Sequence, residues 1–367
     1  MKIVCTKADL LKAVMIAMRA VPVRATIPVM ECILIQAANG QITFTTNDME
    51  MGIETIVPGT ILEEGTIAID ARMFSDIVRK LPDFDVTLSV DEKMIATILC
   101  GKTKFNLSGK EGDDFTALPA FEKEDYVIMS QLTLKETIQK TIFSISPSDN
   151  NKLMSGELFE INGSRLKVVS LDGHRVAIRQ VELKDAYAGR RVVVPGKTLQ
   201  EISKILSGEA DDEVKLYFMP NHIMFELPGT TVVSSLIEGE YFDIDRMLSR
   251  DYETRIRTDR QQLMSCIDRA SLFVREGDKK PIIMDIQDGF MKLSIDSAIG
   301  SMDEDIDIEK EGRDIVIGFN PRFMIDALKA IDEEEVSVYL LNPKAPCFIR
   351  DENETYTYIV LPVNFVR

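Results

Sequence analysis

The sequence predicts an α+β chain made of three tandem copies of one helix-plus-antiparallel-sheet domain. The first observation behind this is an internal match at a constant offset of 125 residues: segments begin at Asp70 (DARMFSDIVRKL), Pro195 (PGKTLQEISKIL) and Asn320 (NPRFMIDALKAI). Their columns share chemistry. The third position is basic (Arg72, Lys197, Arg322), the seventh acidic (Asp76, Glu201, Asp326), the tenth basic (Arg79, Lys204, Lys329) and the twelfth aliphatic (Leu81, Leu206, Ile331). The second observation is a helical apolar pattern near the start of each copy, and the third is a set of hairpin signals in step with both. Solenoid units run to roughly 20–50 residues, so a period this long is that of a whole domain.

The first helix of each copy is read from Leu10, Val14 and Ala17, from Leu134, Ile138 and Thr141, and from Leu263, Ile267 and Ala270. Residues three and four apart share one face of a helix. Strands follow, joined at Asn39-Gly40, Asn162-Gly163 and Asp288-Gly289. These dipeptides supply the positive φ angles that a two-residue hairpin turn requires. An aspartate then recurs every 124 residues, at Asp48, Asp172 and Asp296. A strand leads into the second helix, which is the matched segment itself. A last pair of apolar runs flanks Gly101, Pro228-Gly229 or the polar residues 351–354. Boundaries fall in the charged stretches FEKEDYV and LSRDYETR, giving copies at 1–123, 124–248 and 249–367.

Composition narrows the setting. The opening MKIVCTKADL carries charges inside its first apolar run, unlike a signal peptide, and no apolar stretch nears the roughly 20 residues that span a bilayer. Five scattered cysteines (Cys5, Cys32, Cys100, Cys266, Cys347) without CxxC spacing fit small core residues in a reducing compartment. The expectation is a soluble, cytoplasmic protein. Its net charge of -17 is unevenly spread: residues 7–19, 70–82, 131–142, 195–206, 259–270 and 320–331 carry +2, +1, +1, +1, 0 and +1. The helices thus hold +6 and everything else -23.

Catalytic chemistry is not in evidence. His174 (LDGHRVAI) and His222 (PNHI) have no carboxylate or cysteine at metal-ligand spacing. GKT occurs at 101–103 and 196–198, but Ala96 and Arg191 stand where a phosphate-binding loop needs a further glycine. GxSxG, HExxH and GxGxxG are missing, and the acidic clusters lack the EF-hand pattern. The expectation is therefore no enzyme, no catalytic residue, no metal and no cofactor. Six net-positive helices against an acidic, strand-rich remainder suit a different task. Two chains joined head to tail would supply twelve helices and close a ring, helices inside and sheets outside. Lysines and arginines on the inner wall would touch phosphates without reading bases, as sliding requires. The alternative is a triplicated scaffold that binds only proteins and never encloses DNA.

Three motifs bear on the choice: Arg24-Ala25-Thr26-Ile27-Pro28-Val29, Asp172-Gly173-His174-Arg175 and Tyr358-Ile359-Val360-Leu361-Pro362-Val363. With the length and threefold period, they make the chain resemble, from first residue to last, the bacterial replicative sliding clamps, the β subunits of DNA polymerase III. The resemblance implies a head-to-tail homodimer that encircles duplex DNA without sequence preference. It also implies tethering of the replicative polymerase, loading by a clamp loader, and a pocket for linear motifs of these and other partners, with no membrane association. Carried over by position, the pocket comprises Met154, Leu171, Gly173, His174, Arg175, Val176, Phe242, Arg246, Met247, Pro346, Ile359, Val360, Leu361, Pro362 and Val363. DNA contact falls to Arg24, together with the repeat-column residues Arg72, Arg79, Lys197, Lys204, Arg322 and Lys329. The dimer seam falls to Phe105 and Leu107, near Lys102 and Lys104, facing Leu272 and Phe273, with Asp303, Glu304 and Asp305 as acidic counterparts; the side of the strand that Phe105 and Leu107 share could as well face the first copy's own core. Leu171 stands where threonine is common, Phe242-Asp243-Ile244 where Pro-Asp-Tyr is usual, and Asn364 where arginine is frequent, before a tail of Phe365, Val366 and Arg367. These departures imply a more apolar pocket than the family norm.

Overall fold

The computed structural model describes residues 1–121, 123–147, 151–275 and 280–365. Val366 and Arg367 lie outside the described residues. Six α-helices occur among those described, at the six expected places: α1 (Lys7–Ala17), α2 (Ala71–Lys80), α3 (Gln131–Thr141), α4 (Gly196–Ile205), α5 (Arg260–Ser271) and α6 (Pro321–Lys329). Local chemistry fixes their starts. The side chains of Thr6, Asp70, Asp259 and Asn320 each accept a backbone N–H from the first turn, satisfying donors that a helix N-terminus leaves without partners. In α6, Pro321 follows the cap directly, at a position where its missing N–H costs nothing.

The chain divides into two compact units, Met1–Leu132 with Glu201–Leu236, and Thr133–Gln200 with Ile237–Arg367. The first unit holds two antiparallel sheets. One has five strands in the order Thr60–Glu63, Lys2–Cys5, Val86–Val90, Ile95–Cys100, Thr103–Ser108. The other has eight, in the order Tyr126–Ser130, Glu213–Phe218, His222–Leu227, Thr230–Ser235, Met51–Val57, Gln41–Asn47, Cys32–Ala38, Gly65–Asp70. Leu10, Val14 and Ala17 of α1 and Phe74 and Val78 of α2 are buried with Ile3, Ile33, Phe44 and Leu88 from the strands. Their spacing places them on the inward stripe of each helix.

The second unit repeats the plan with a seven-stranded sheet ordered Gly156–Leu171, Arg175–Pro195, Tyr356–Val360, Cys347–Arg350, Glu335–Leu340, Thr254–Asp259, Glu309–Gly312. A four-stranded sheet runs Gly300–Asp307, Phe290–Ser297, Ile282–Gln287, Ile315–Phe319. Leu263, Ile267 and Ala270 of α5 and Met324 and Leu328 of α6 close its core with Ile317, Phe319 and Tyr358. All five cysteines are free and buried, as small apolar residues.

Compactness follows hydrogen-bonded sheets more than the 125-residue period. Thr230–Ser235, from the middle copy, pairs with Met51–Val57 of the first (Val232 opposite Ile53). Likewise Tyr356–Val360 of the last copy pairs with the strand starting at Arg175 (Ile359 opposite Val176). The middle copy's two sheets are therefore shared with its neighbours.

The expected turns at Asn39-Gly40 and Asp288-Gly289 join Ala38 to Gln41 and Gln287 to Phe290. Asn162-Gly163 differs. It lies inside the long strand Gly156–Leu171, whose pairing with Arg175–Pro195 changes register at Gly163. Only the glycine there takes a positive φ, of 61°. The recurrent aspartate also divides. The Asp48 Oδ1 accepts the N–H groups of Glu50 and Met51, and the Asp172 Oδ1 those of His174 and Arg175. Asp296 instead sits within the strand Phe290–Ser297, and the turn comes two residues later, where Ser297 faces Gly300.

Candidate partner pocket and basic helix faces

The Asp172 turn, the segment after residue 237 and the last strand come together in the second unit around a cavity of about 210 Å³. It is lined by Met154, Leu171, Gly173, His174, Arg175, Val176, Phe242, Ile244, Met247, Ile359 and Leu361. Beneath it lies a cluster of Leu158, Val169, Ile178, Val193, Tyr241 and Phe348. Gly173 forms the tip of the turn with a φ of 87°, the left-handed region where glycine alone is unstrained. Two main-chain links fix the rim: the Leu361 N–H donates to the His174 carbonyl at 2.8 Å, and Arg175 pairs with Val360 across the sheet. An apolar recess with backbone groups at its mouth suits an extended peptide with aliphatic side chains.

Ten of the fifteen residues assigned to this pocket from the sequence line the cavity; Arg246, Pro346, Val360, Pro362 and Val363 do not. Val360 points the other way and is fully buried in the core beside α5 and α6, because side chains alternate across a strand. Val363 is engaged through its backbone, its N–H donating to the Gly318 carbonyl at 2.8 Å. Arg246 is exposed and paired with Asp243 at 2.7 Å. Pro346 and Pro362 flank strands at half-exposed positions. The lining includes one residue absent from that set, Ile244, which is 3% exposed. Its signal was in the sequence, at the place of the customary tyrosine.

Arg175 does more than line the cavity. Its Nε meets Asp172 at 3.0 Å, its Nη1 meets Asp326 of α6 at 2.7 Å, and its Nη2 donates to the Phe143 carbonyl at 2.5 Å. The guanidinium also lies 4.3 Å from the Phe323 ring centroid and 5.6 Å from that of Phe143. Burial works against its charge, but Tyr358, Asp326 and Asp172 outweigh that and hold its pKa above the ordinary arginine value. With all three of its nitrogens engaged, Arg175 fastens the pocket's turn to α6. Burial pushes the Tyr358 phenol up, and its hydroxyl donates to the Phe323 carbonyl at 3.0 Å.

Arg24, Arg72, Arg79, Lys197, Lys204, Arg322 and Lys329 are all exposed. Arg72 donates to the Val23 carbonyl at 2.8 Å, which brings it beside the Arg24 segment. Two of the three column acids, Glu201 and Asp326, are more engaged than a solvated face would be, whereas Asp76 is exposed. Glu201 pairs with Arg19 at 2.9 Å and with Lys204 at 2.7 Å. Partial burial raises its carboxyl, yet these two cations prevail and hold it below the usual carboxylate range.

Of the seam residues, Phe105 and Leu107 are half-buried against the first unit's own core, on the edge strand Thr103–Ser108. Phe273 packs on the second unit's core, whereas Leu272 is 76% exposed. Glu304 and Asp303 already have partners within the chain, Arg269 at 2.9 Å and Lys292 at 3.3 Å. No cluster of three or more metal-ligating side chains occurs among the described residues.

Comparison with known proteins accords with this geometry. The N-terminal, central and C-terminal domain models of the DNA polymerase III beta subunit match residues 1–119, 128–243 and 245–364. A beta sliding clamp of Staphylococcus aureus is 33% identical over 357 residues, covering 94% of each chain. A crystal structure described as a putative DNA polymerase III beta subunit from Eubacterium rectale is 59% identical, with a TM-score of 0.96 over 100% of both chains. The DNA polymerase sliding clamp of Bacillus subtilis is 31% identical, again with a TM-score of 0.96 over both full chains. Three clamp domains in tandem, matched over almost the whole length, place this chain in the DNA polymerase III beta subunit family, the β sliding clamps.

Proposed function

We propose that two chains join head to tail in a ring around duplex DNA, and that the apolar cavity receives linear segments of the polymerase and other tethered proteins. Domains at 1–123, 124–248 and 249–367 are the units of this reading, which places the protein on DNA in the cytoplasm and gives it no reaction to catalyse. The observation that carries it is an unfinished junction. At both junctions within the chain, the last strand of one copy pairs with the strand after the recurrent aspartate in the copy before it. The first copy's last strand, Thr103–Ser108, and the third copy's strand after its recurrent aspartate, Gly300–Asp307, are each left at a sheet edge.

Applying the same register to these two edges sets Lys102 opposite Asp305, Lys104 opposite Asp303 and Phe105 opposite Met302. Opposite charges face each other, and two hazardous edges are covered. Leu272 and Phe273 stand beside that line. The exposed cations would then meet phosphates in loose, salt-sensitive contact, with enclosure supplying retention. A clamp loader from a related bacterium is used to load the protein onto a nicked circular plasmid, and half the sample is linearised before gel filtration. Retention on the circle with loss from the cut molecule is expected. Equal retention on both would mean direct binding and sink the ring. No retention on either, with a known clamp loading in parallel, would favour a scaffold that binds only proteins.

A further inference from the structure

The first unit contains a second cavity, of about 160 Å³. Nine of its twelve lining residues are counterparts of nine of the eleven that line the partner pocket. Asn47 and Glu50 stand 124 residues before Leu171 and His174, on the Asp48 turn; Thr116 and Leu118 stand 126 before Phe242 and Ile244, in the following segment. On the last strand of the next copy, Val233 and Ser235 stand 126 before Ile359 and Leu361. Strand pairing shows that these are structural equivalents: Gly52 lies opposite Val233 as Val176 lies opposite Ile359. The chain therefore builds the same recess at both of its internal junctions.

The two differ in chemistry in an ordered way. The floor remains apolar, with Val233 4% and Met51 1% exposed, and Leu118 packed over Val233, Tyr217 and Met224. The rim has become polar, since Leu171, Phe242 and Leu361 are replaced by Asn47, Thr116 and Ser235. Glu50 adds a carboxylate where the partner pocket has His174. The Asn47 amide is already committed, donating to the Thr116 carbonyl at 3.2 Å and accepting from the Met49 N–H at 2.8 Å, and so holds the rim in shape. Met49 stands at its mouth, 61% exposed, with a φ of 76°. Such a conformation is uncommon for a side chain of this size.

We infer that this recess is a second peptide-docking site, for an extended segment with one aliphatic side chain flanked by an amide and a basic residue. The floor takes the aliphatic group, the hydroxyl-bearing rim the amide, and Glu50 the cation. The inference rests on the partner-pocket reading, because it takes the recess to work as its equivalent does. The smaller volume and polar rim make it the weaker site, by about tenfold, the factor that 1.4 kcal/mol of lost apolar contact carries.

Each recess holds two methionines, Met49 and Met51 in one, Met154 and Met247 in the other. The test is a titration of the full chain, labelled with ¹³C at the methionine methyls and assigned by single Met→Leu substitutions. The probe is the acetylated, amidated tetrapeptide Gln-Leu-Lys-Leu. Saturable shifts at Met49 and Met51 are expected, lost in Thr116→Trp, which fills the recess from the half-exposed linker. In that variant an unchanged response at Met154 and Met247 reports an intact fold. Glu50→Gln is expected to weaken the Met49 response about threefold. No movement of Met49 and Met51 at several-millimolar peptide, or the same movement in Thr116→Trp, overturns the inference. Movement at Met49 and Met51 with silence at Met154 and Met247 supports the second site and overturns the first.

Discussion

Glu157 is completely buried, and neither of its carboxyl oxygens has a hydrogen-bond partner. Burial pushes its pKa up from 4.5 to about 8. The nearby Thr141 hydroxyl offsets little, since its proton goes to the Thr137 carbonyl at 2.8 Å. The folded chain therefore holds a proton here that the unfolded chain releases above pH 4.5. Stability tied to this group is fully present below pH 4.5, falls as pH rises towards 8, and is constant above that. One proton corresponds to about 1.4 kcal/mol per pH unit inside the window. At pH 7, two and a half units above the unfolded value, the penalty is about 3 kcal/mol. Glu157→Gln keeps the shape and removes the titration, so it is expected to raise stability by about 3 kcal/mol at pH 7 and by almost nothing at pH 4.5. Urea unfolding of both proteins between pH 4.5 and 8.5 measures this as a difference that grows with pH. A pH-independent difference, or a variant less stable than the parent at pH 8, would refute the reasoning by showing that the carboxylate is solvated in the folded state.

Arg175→Met leaves Asp172 and Asp326 facing a site without a cation. It is expected to cost about 3–5 kcal/mol in urea unfolding, as breaking a buried pair does, and a loss within 1 kcal/mol would deny Arg175 its fastening role. Met247→Glu puts a charge on the apolar cavity from an exposed position. Its expected effect is at least about a tenfold loss of motif-peptide affinity by calorimetry, with stability unchanged to about 0.5 kcal/mol. Replacing Arg72, Lys197 and Arg322 together by glutamate should abolish retention on nicked circles while circular dichroism stays the same; intact retention would move the DNA contact elsewhere. Lys104→Glu should weaken the dimer in sedimentation, and Lys104→Glu with Asp303→Lys should restore it. A double variant as weak as the single one would rule out the proposed register.

The helices and most hairpins were legible because each rests on local chemistry: apolar spacing, a capping side chain, a glycine at a positive φ. Arg72 and its column partners were legible for the same reason, since the inward stripe of α2, α4 and α6 leaves those positions outside. Val360 was not, because a family motif names consecutive residues while a strand sends alternate ones to opposite faces. Sharing of the middle copy's sheets was also hidden. Nothing near Thr230 announces that its strand partner lies at Thr55, 175 residues away; only the folded register shows it. Glu157 reads in sequence as one more polar residue among apolar ones, and only the fold brings Thr141, at the end of α3, and Tyr241 close to it.

The acidic column of the repeat has a physical reason that the sequence presents only as a mixed-charge helix. In the first unit the column residue Glu201 receives Arg19, at the end of the first copy's opening helical segment. In the second unit the column residue Asp326 receives Arg175, and the place equivalent to Arg19 is taken by Phe143, over which that same guanidinium lies. The cation has changed its origin in the chain while the acid it meets has stayed in register. Continuing the series, the third copy offers Leu272 at that place, 76% exposed. The third acid, Asp76, lies on α2 of the first copy, which a second chain would bring to the same junction. An isolated leucine at that exposure gains nothing from water, whereas across the proposed seam it would stand where Phe143 stands, against the α2 of a partner. Leu272→Ala separates the two cases: on the seam it weakens the dimer by about 1.5–3 kcal/mol of lost apolar burial, and on a free surface it changes nothing that sedimentation detects.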